Sequence, residues 1–217
     1  MGSIFINGSK FAVSELGASV DITAITNANP PVVSCATPPA NGSIIMLRSN
    51  WSDINNMVVR TANATADSFE ISGVDTTDTT SYPPGEGVGS FSVADNFVSL
   101  IQVRDFSISG GEQQYYEYQY VDDKSGRMRR KPTYKNSLAV DIPMDYDPEM
   151  PWYKELIRLD ARRKEVAMRV IYPDGAINLY GGYISFNKVP TGKVNENLQV
   201  SASFSIDADP VFYGEND

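Results

Sequence analysis

The side chains that could carry out catalysis or bind a metal are few in this chain. Histidine is absent from its 217 residues, which removes the commonest general base and the commonest metal ligand. The one tight acidic cluster, Asp145, Asp147 and Glu149, precedes a predicted helix, where acidic residues are expected because they favour a helix N-terminus. The segments Asp75–Asp78 and Asp122–Asp123 lack the spacing of a calcium-binding loop. The sequence therefore predicts neither an enzyme nor a bound metal or cofactor.

The charge of the chain is unevenly distributed. The net charge is −9, residues 21–90 contain seven acids and two bases, and six bases fall between Lys124 and Lys135. Because a surface that binds nucleic acid needs a basic face, this distribution argues against specific DNA binding. Cys35 is the single cysteine, so no internal disulfide is possible, which is typical of a reducing cytoplasm. No apolar run is long enough to span a membrane.

Alternation of apolar and polar residues predicts that most of the chain is β-structure. The clearest strand is Asn197–Ile206, which places Leu198 and Phe204 among the apolar residues of one face and small uncharged polar residues on the other. Such a strand buries one face and offers water a surface without reactive groups, which favours an architectural role. Further strands are predicted over residues 10–14, 97–106, 112–121, 138–144, 165–172 and 176–187.

Three other segments complete the predicted organisation. Residues 21–90 are rich in Thr, Asn, Asp, Gly and Pro, with short strand-like runs, and predict a small all-β module. Residues 122–135 are too polar to fold on their own and are predicted to form a flexible loop. One amphipathic helix is predicted after Asp147, which can act as its N-cap. Pro148 or Pro151 suits its first turn, and Trp152, Leu156 and Leu159 repeat at helical spacing on one face.

The order of these elements resembles the major tail tube proteins of bacteriophages with long, non-contractile, lambda-like tails. The turn Pro173–Gly175 and the segment Tyr180–Tyr183 carry the resemblance, together with the closing segment Phe204–Tyr213. Val103–Gln113 is similar to the first long hairpin of that family. Residues 21–90 resemble a small β-barrel found in phage tail proteins and named for its likeness to the FCCH domain of ubiquitin-activating enzymes.

The resemblance implies a mainly β fold, a β-sandwich or partial barrel with one flanking α-helix. Residues 1–20 and 91–217 would form this domain, and residues 21–90 would be an inserted decoration module on the exterior of the tube. The chain would form hexameric rings that stack into a tail tube and would be assembled in the bacterial host cytoplasm. Tape-measure, tail terminator and tail-tip proteins would be its partners, and viral duplex DNA would pass through without specific binding.

Two sets of residues are assigned to the tube on this basis. Polar side chains are expected to face the lumen, where they would let DNA slide without releasing counterions: Gln113, Glu117, Gln119, Asp141, Asn197, Gln199, Ser201, Ser203 and Ser205. Bases of the predicted loop would grip phosphate if they faced the lumen, and are instead expected to contact acids of the next ring: Lys124, Arg127, Arg129, Arg130 and Lys131.

Several alternatives remain open from the sequence alone. The polar residues could simply face bulk solvent, and the basic segment could be a solvated loop. The chain could form a ring that does not elongate, as a tail terminator or baseplate hub does. It could also be a monomeric carbohydrate-binding or adhesin module, in which the tyrosines of residues 115–120 form a sugar platform instead of part of a strand core.

Overall fold

The computed structural model describes residues 6–215 and is mainly β, with 47% of the chain in strands and 7% helical. The α-helix α1 spans Pro151–Arg162, and a short 3-10 turn covers Ser52–Ile54. The strands are β1 Lys10–Glu15, β2 Ser19–Ile25, β3 Val32–Cys35, β4 Ile44–Ser49, β5 Val58–Ala62, β6 Ser68–Ser72, β7 Gly89–Val93, β8 Val98–Leu100, β9 Ser107–Ser109, β10 Gln113–Tyr118, β11 Arg129–Lys135, β12 Ala139–Asp145, β13 Glu165–Ile171, β14 Ile177–Thr191, β15 Gln199–Ile206 and β16 Val211–Tyr213. The predicted mainly β fold with one helix is confirmed.

The main body is an eight-stranded antiparallel sheet, in which seven strands follow the order β8-β1-β13-β14-β15-β12-β9 and the eighth, β16, pairs with β14. Strand β14 is 15 residues long, and it pairs with β13 and β16 through its first half and with β15 through its second. Because successive side chains alternate between faces, every second residue enters one core. That core includes Val13, Ile142, Met168, Tyr180 and Phe204.

Helix α1 covers this core face with Trp152, Leu156 and Leu159, which are all buried as predicted. The predicted cap at Asp147 is wrong. The N-cap residue is Met150 and makes no side-chain cap, whereas Asp147 accepts a hydrogen bond from the Glu149 N–H at 3.2 Å in the preceding turn. The helix begins at Pro151 because the fixed φ of proline suits a first helical position, where its missing N–H costs nothing.

A closed six-stranded barrel, in the order β2-β3-β6-β5-β4-β7, lies between β1 and β8 in the chain. Its interior is filled by apolar side chains, among them Trp51, Phe69 and Phe91. Cys35 is buried in this core, and burial raises the pKa of its thiol. The FCCH likeness and the assignment of residues 21–90 as a separate module stay predictions.

The barrel packs on the face of the eight-stranded sheet opposite α1. Leu179 of β14 belongs to the barrel's hydrophobic core. At Gly181, a Cβ atom would lie 2.5 Å from the Asn56 carbonyl oxygen, so the absent side chain permits the close approach. The Tyr213 hydroxyl accepts a hydrogen bond from Arg60 N–H and donates one to Ser72 O, both at 2.8 Å. These contacts fix the barrel against the sheet.

Residues 112–135 depart most from the sequence-based prediction. They form a two-stranded sheet, β10 with β11, and Arg129, Arg130 and Lys131 lie in β11 instead of a loop. The expectation that residues 122–135 are too polar to fold is therefore wrong for their second half. Polarity does not prevent pairing here, because bases of β11 lie opposite tyrosines and Glu117 of β10, and such cross-strand pairs are favourable.

Two further strand predictions are wrong. The strand predicted over residues 97–106 ends at Leu100, because Gln102 adopts a left-handed backbone with φ 63°, which interrupts an extended chain. The segment Val103–Gln113 does not form a hairpin, since β9 pairs with β12 and β10 pairs with β11. At the other end of the chain, Leu198 precedes β15 and its side chain is exposed.

Candidate functional site

The polar face of the eight-stranded sheet brings together five of the predicted lumen residues. Strand β15 contributes Gln199, Ser201, Ser203 and Ser205, and β12 contributes Asp141, which lies opposite Ser203 in the register. Ser201 and Ser205 are exposed, and the other three are half-buried. The residues that alternate with the serines along β15, namely Val200, Ala202 and Phe204, are buried in the core on the opposite face. The alternation that predicted this surface is confirmed.

The structure adds three residues to this surface that sequence reasoning missed. Ser185 and Asn187 of β14 lie opposite Ser203 and Ser201, and Ser107 of β9 lies opposite Asp141. The signal for the first two is present in the sequence, because Ser185 and Asn187 alternate with buried residues. The position of Ser107 depends on pairing across a long sequence separation, for which the short strand β9 gives no local signal. The polar sheet face therefore extends over four neighbouring strands, β14, β15, β12 and β9.

Asn197 lies outside the strand and binds an acidic residue. Its side-chain amide donates a hydrogen bond to the Asp145 carboxylate at 3.1 Å. Arg104 binds the same carboxylate through two nitrogens, at 2.6 and 2.9 Å, and this pairing lowers the pKa of Asp145 below its usual value. Asp145 is thus held in its ionised form by structural partners. Asp145 is therefore not a carboxyl group poised for general acid catalysis at neutral pH.

The other three predicted lumen residues, Gln113, Glu117 and Gln119, do not share this sheet. Gln113 and Glu117 belong to β10, and Gln119 follows the end of that strand. Gln113 donates a side-chain hydrogen bond to Tyr134 O at 3.2 Å across the hairpin, and is half-buried. Their strand pairs only with β11, so strand pairing does not bring them together with the serines of β15.

The β10–β11 hairpin holds the predicted ring-contact bases in cross-strand interactions. Arg130 and Glu117 form an ion pair of 2.8 Å between directly opposite residues. On the other face of the hairpin, the Tyr116 and Tyr118 rings are stacked with their centroids 5.9 Å apart. The Lys131 ammonium lies 5.3 Å from the centroid of the Tyr118 ring, a cation–π distance. The hairpin therefore has an ion-paired face and an aromatic, cationic face.

The hairpin is largely exposed along its whole length. Every residue of β11 is exposed, and 62% of Tyr116 is accessible to solvent. Lys124 and Arg127 lie in the exposed segment that joins the two strands, where Arg129 pairs with Asp123 at 3.1 Å. A two-stranded sheet without a hydrophobic face is at best marginally stable in water. A surface of this kind gains order when a partner covers it.

The edge of the large sheet is incomplete beside the polar face. Strand β9 pairs with β12 through three residues, and its outer side has no strand partner within residues 6–215. Ile108 of β9 lies opposite the buried Val140, yet half of its surface, 51%, is exposed. An apolar side chain at the margin of a core, on an unpaired edge, is typical of a surface that another chain covers.

The described part of the chain contains neither a metal-ligand cluster nor a membrane-spanning helix. No group of three or more Asp, Glu or Cys residues that could hold a metal ion occurs between residues 6 and 215. Within the same range, no helix is long and apolar enough to cross a membrane.

Comparison with known proteins identifies the family. No match among curated proteins was found. The family model described as phage tail tube protein, TTP, matches residues 49–215, which is more than half of the chain and includes the polar sheet face, the hairpin and β4 to β7 in part or whole. This family points to a structural, non-enzymatic role as a component of the virion tail. The chain belongs to the phage tail tube proteins.

Proposed function

We propose that the chain forms hexameric rings that stack into a tube, and that this tube conducts viral DNA out of the capsid. The observation that carries the proposal is the polar sheet face, which spans β14, β15, β12 and β9 and consists mainly of serines, with Asn187, Gln199 and two acids, Asp141 and Asp145. A sheet with one sealed and one inert polar face is the wall that such a conduit needs.

The dimensions of the sheet agree with a ring of six. Four strands from each of six subunits give about 24 strands, and at roughly 4.8 Å per strand the circumference is about 115 Å. The corresponding diameter is about 37 Å before strand tilt widens it. A barrel of this size admits a DNA duplex.

The chemistry of the polar sheet face suits a sliding polyanion. Serine and asparagine side chains release no counterions when phosphates pass, so they provide no salt-dependent binding energy. Asp141 adds a negative charge that repels phosphate, and the chain as a whole carries a net charge of −9. These features favour passage of DNA without specific binding.

Ring closure would use the two margins of the four-stranded polar sheet face. Strand β9 pairs on one side only, and β14 beyond Tyr183 pairs only with β15 within the described residues. Joining β9 of one subunit to a margin of the next subunit would cover Ile108 and satisfy unpaired backbone groups. A closed ring leaves no edge available for aggregation.

The β10–β11 hairpin is the candidate contact between successive rings. Its exposed bases would meet acids of the next subunit, and the stacked Tyr116 and Tyr118 rings offer area for burial. Because Arg129 and Arg130 are already paired with Asp123 and Glu117, assembly would exchange or extend these pairs instead of creating them from free charges.

The barrel would decorate the outside of the tube. It packs on β13 and the first half of β14, whereas the polar sheet face begins at the second half of β14. Neighbouring strands of a sheet rotate by about 20–25°, so β13 and β12, three strands apart, differ in direction by about 60–75°. Gly181, which contacts the barrel, and Ser185, on the polar sheet face, lie on the same side of β14, so the exterior position depends on this twist carrying the barrel off the channel axis in a closed ring. Assembly in the host cytoplasm, with tape-measure, tail terminator and tail-tip proteins, completes this proposal.

The test is direct observation of the purified full chain at high concentration, by size-exclusion chromatography and negative-stain electron microscopy. We expect tubes with a central channel. Rings that never elongate would indicate a terminator or hub protein, and a persistent monomer would favour the adhesin alternative; either result rejects the tube.

A charge-reversal variant tests the hairpin within the same experiment. We expect the triple variant Arg127→Glu/Arg129→Glu/Arg130→Glu to remain folded by circular dichroism but to form no tubes. A matched control reverses three exposed bases outside the hairpin, Lys10, Lys154 and Lys188. Normal tubes from the hairpin variant would refute its role in ring stacking while leaving the tube itself intact.

A further inference from the structure

A cleft of about 510 Å³ lies where the barrel, the sheet and the C-terminal end of α1 meet. It is called here the junction cleft, and its charged and aromatic lining consists of Glu15, Arg48, Arg163, Lys164, Glu165 and Tyr183. A volume of this size falls within the range that holds small ligands. The cleft shares Tyr183 with the margin of the polar sheet face, but none of its other lining residues lies on that face or on the hairpin.

The two carboxylates that line the junction cleft are already neutralised. Both oxygens of Glu15 accept hydrogen bonds from arginines of α1, Arg158 and Arg162. Glu165 binds Arg48 at 2.5 Å through one oxygen and accepts a bond from the Tyr183 hydroxyl at 3.4 Å through the other. Neither acid therefore has an oxygen without a donor to offer a ligand cation.

Cations of the same cleft remain available. Arg163 and Lys164 are exposed, and neither takes part in an ion pair with another residue of the described range. Arg48 uses one nitrogen for Glu165 and a second for the Ser92 hydroxyl at 3.0 Å, which fixes its guanidinium in place. With three cations in its lining and both of its carboxylates already paired, the cleft favours an anion, although the chain as a whole carries a net charge of −9.

The backbone at Arg163 supplies an independent observation. This residue ends α1 in the left-handed conformation, with φ 51° and ψ 37°, and its N–H binds the carbonyl oxygens of Leu159 and Asp160. Glycine or asparagine is usual at such a position, because a larger side chain is strained there. Arginine is strained in this conformation. Its presence beside the cleft therefore points to a functional role for its side chain there.

We propose that the junction cleft binds a small oxyanion, a carboxylate or phosphate group that carries neighbouring hydroxyls. Arg163 and Lys164 bind the charged oxygens, and Arg48 presents its remaining N–H to the same group. The Tyr183 hydroxyl and the exposed face of its ring suit a hydroxylated body such as a sugar ring. The inference does not depend on tube formation.

The structural alternative is that these bases only complement the negative end of the helix dipole. The variant Arg163→Gly separates the two explanations, because glycine suits the left-handed position better than arginine. If the site binds an anion, this variant keeps or raises its melting temperature and yet loses affinity. A purely structural role predicts no change in affinity.

The experiment titrates the dilute full chain with sodium glucuronate, glucose and inorganic phosphate at low salt, followed by nuclear magnetic resonance. We expect saturable binding of glucuronate, of phosphate, or of both, and none of glucose, which has the ring and hydroxyls of glucuronate without its carboxylate. Binding of only one anion assigns the site to carboxylated or to phosphorylated ligands. Equal binding of glucose and glucuronate, or no saturable binding of either anion, overturns the proposal.

Variants locate the binding in the cleft. We expect Arg163→Gly/Lys164→Gln to weaken anion binding by about tenfold or more, since each lost charge-assisted hydrogen bond reduces affinity by roughly that factor. The control Lys154→Gln removes one exposed cation from α1 outside the cleft and should leave binding unchanged. An equal loss in the control would show general charge attraction and would refute the site.

Discussion

Glu117 and Arg130 face each other across the β10–β11 hairpin and form an ion pair of 2.8 Å. The sequence assigns them to different surfaces, Glu117 to the lumen and Arg130 to the contact between rings. Their pairing places both on one face of a single hairpin. Since both side chains are substantially exposed, at 44% and 66%, the pair alone adds little to the stability of the subunit. In the proposed tube, its role would lie in the contact between rings.

A charge swap at this pair distinguishes hairpin folding from contact with another subunit. In Glu117→Arg/Arg130→Glu the cross-strand attraction is kept, but the charge presented at each position is reversed. We expect the swap to block tube growth as Arg130→Glu alone does, because the acids of the next ring would meet a glutamate. Tubes are counted by negative-stain electron microscopy. Full rescue by the swap would mean that Arg130 serves only its own hairpin.

The polar sheet face should tolerate longer side chains but not positively charged ones. We expect Ser201→Lys to assemble into tubes that retain labelled duplex DNA at low salt, because each lysine that neutralises a phosphate releases counterions. Retention should fall steeply as salt is raised. The control Ser201→Gln is similarly long but uncharged and should not retain DNA. If tubes of the lysine variant release DNA as freely as the wild type, Ser201 does not line the channel.

The packing of the barrel against the sheet requires that residue 181 be glycine, which has no side chain. In Gly181→Ala the new Cβ would lie 2.5 Å from Asn56 O and 2.9 Å from a Val58 methyl group. We expect a loss of about 1–3 kcal/mol in the free energy of unfolding, as for other overpacked sites. Urea denaturation measures this change. Ser185→Ala, on the same strand and face but exposed, should change stability by less than about 0.5 kcal/mol. Equal stability of both variants would contradict the described interface.

Stability should depend on pH through Glu15. Hydrogen bonds from Arg158 and Arg162 lower the pKa of this carboxyl below its usual value of 4.5. Because the pKa is lowered in the folded chain, the stabilisation is complete above the usual value of 4.5. It is lost as the pH falls from there through the lower pKa of the folded chain. We expect Glu15→Gln to cost about 1–2 kcal/mol at pH 7. The difference from wild type should shrink progressively below pH 4.5 in thermal melts, and a difference independent of pH would exclude this account.

The local spacing of apolar and polar residues was sufficient to predict many features of the fold. The alternation in β15 correctly predicted which of Val200 to Ser205 are buried and which are polar, because side chains of a strand alternate whatever its partners are. Trp152, Leu156 and Leu159 predicted the buried face of α1 for the analogous reason at helical spacing. For the start of α1, Pro151 was one of the two prolines predicted for the first turn and is its first residue, but the cap predicted at Asp147 was wrong, since residue type alone does not fix which residue precedes the helix.

Residues 97–135 were predicted poorly because their structure depends on distant partners. Strand β9 pairs with β12, about 30 residues later in the chain. Arg129–Lys131 is extended because it lies opposite the tyrosines of β10, not because its own composition favours a strand. The junction cleft had no sequence signal at all, since Arg48 and Glu165 are far apart in the chain and meet only where the barrel contacts the sheet.

The sequence by itself determined that this protein has no imidazole chemistry, that it is mainly β, and that β15 seals a core with one face and shows serines on the other. The tertiary structure decided which strands join those serines, that Gln113, Glu117 and Gln119 belong with a separate hairpin, and where the barrel sits. The physical reason is that alternation is a local property of an extended chain. Register and sheet partners depend instead on contacts between residues that are far apart in the sequence.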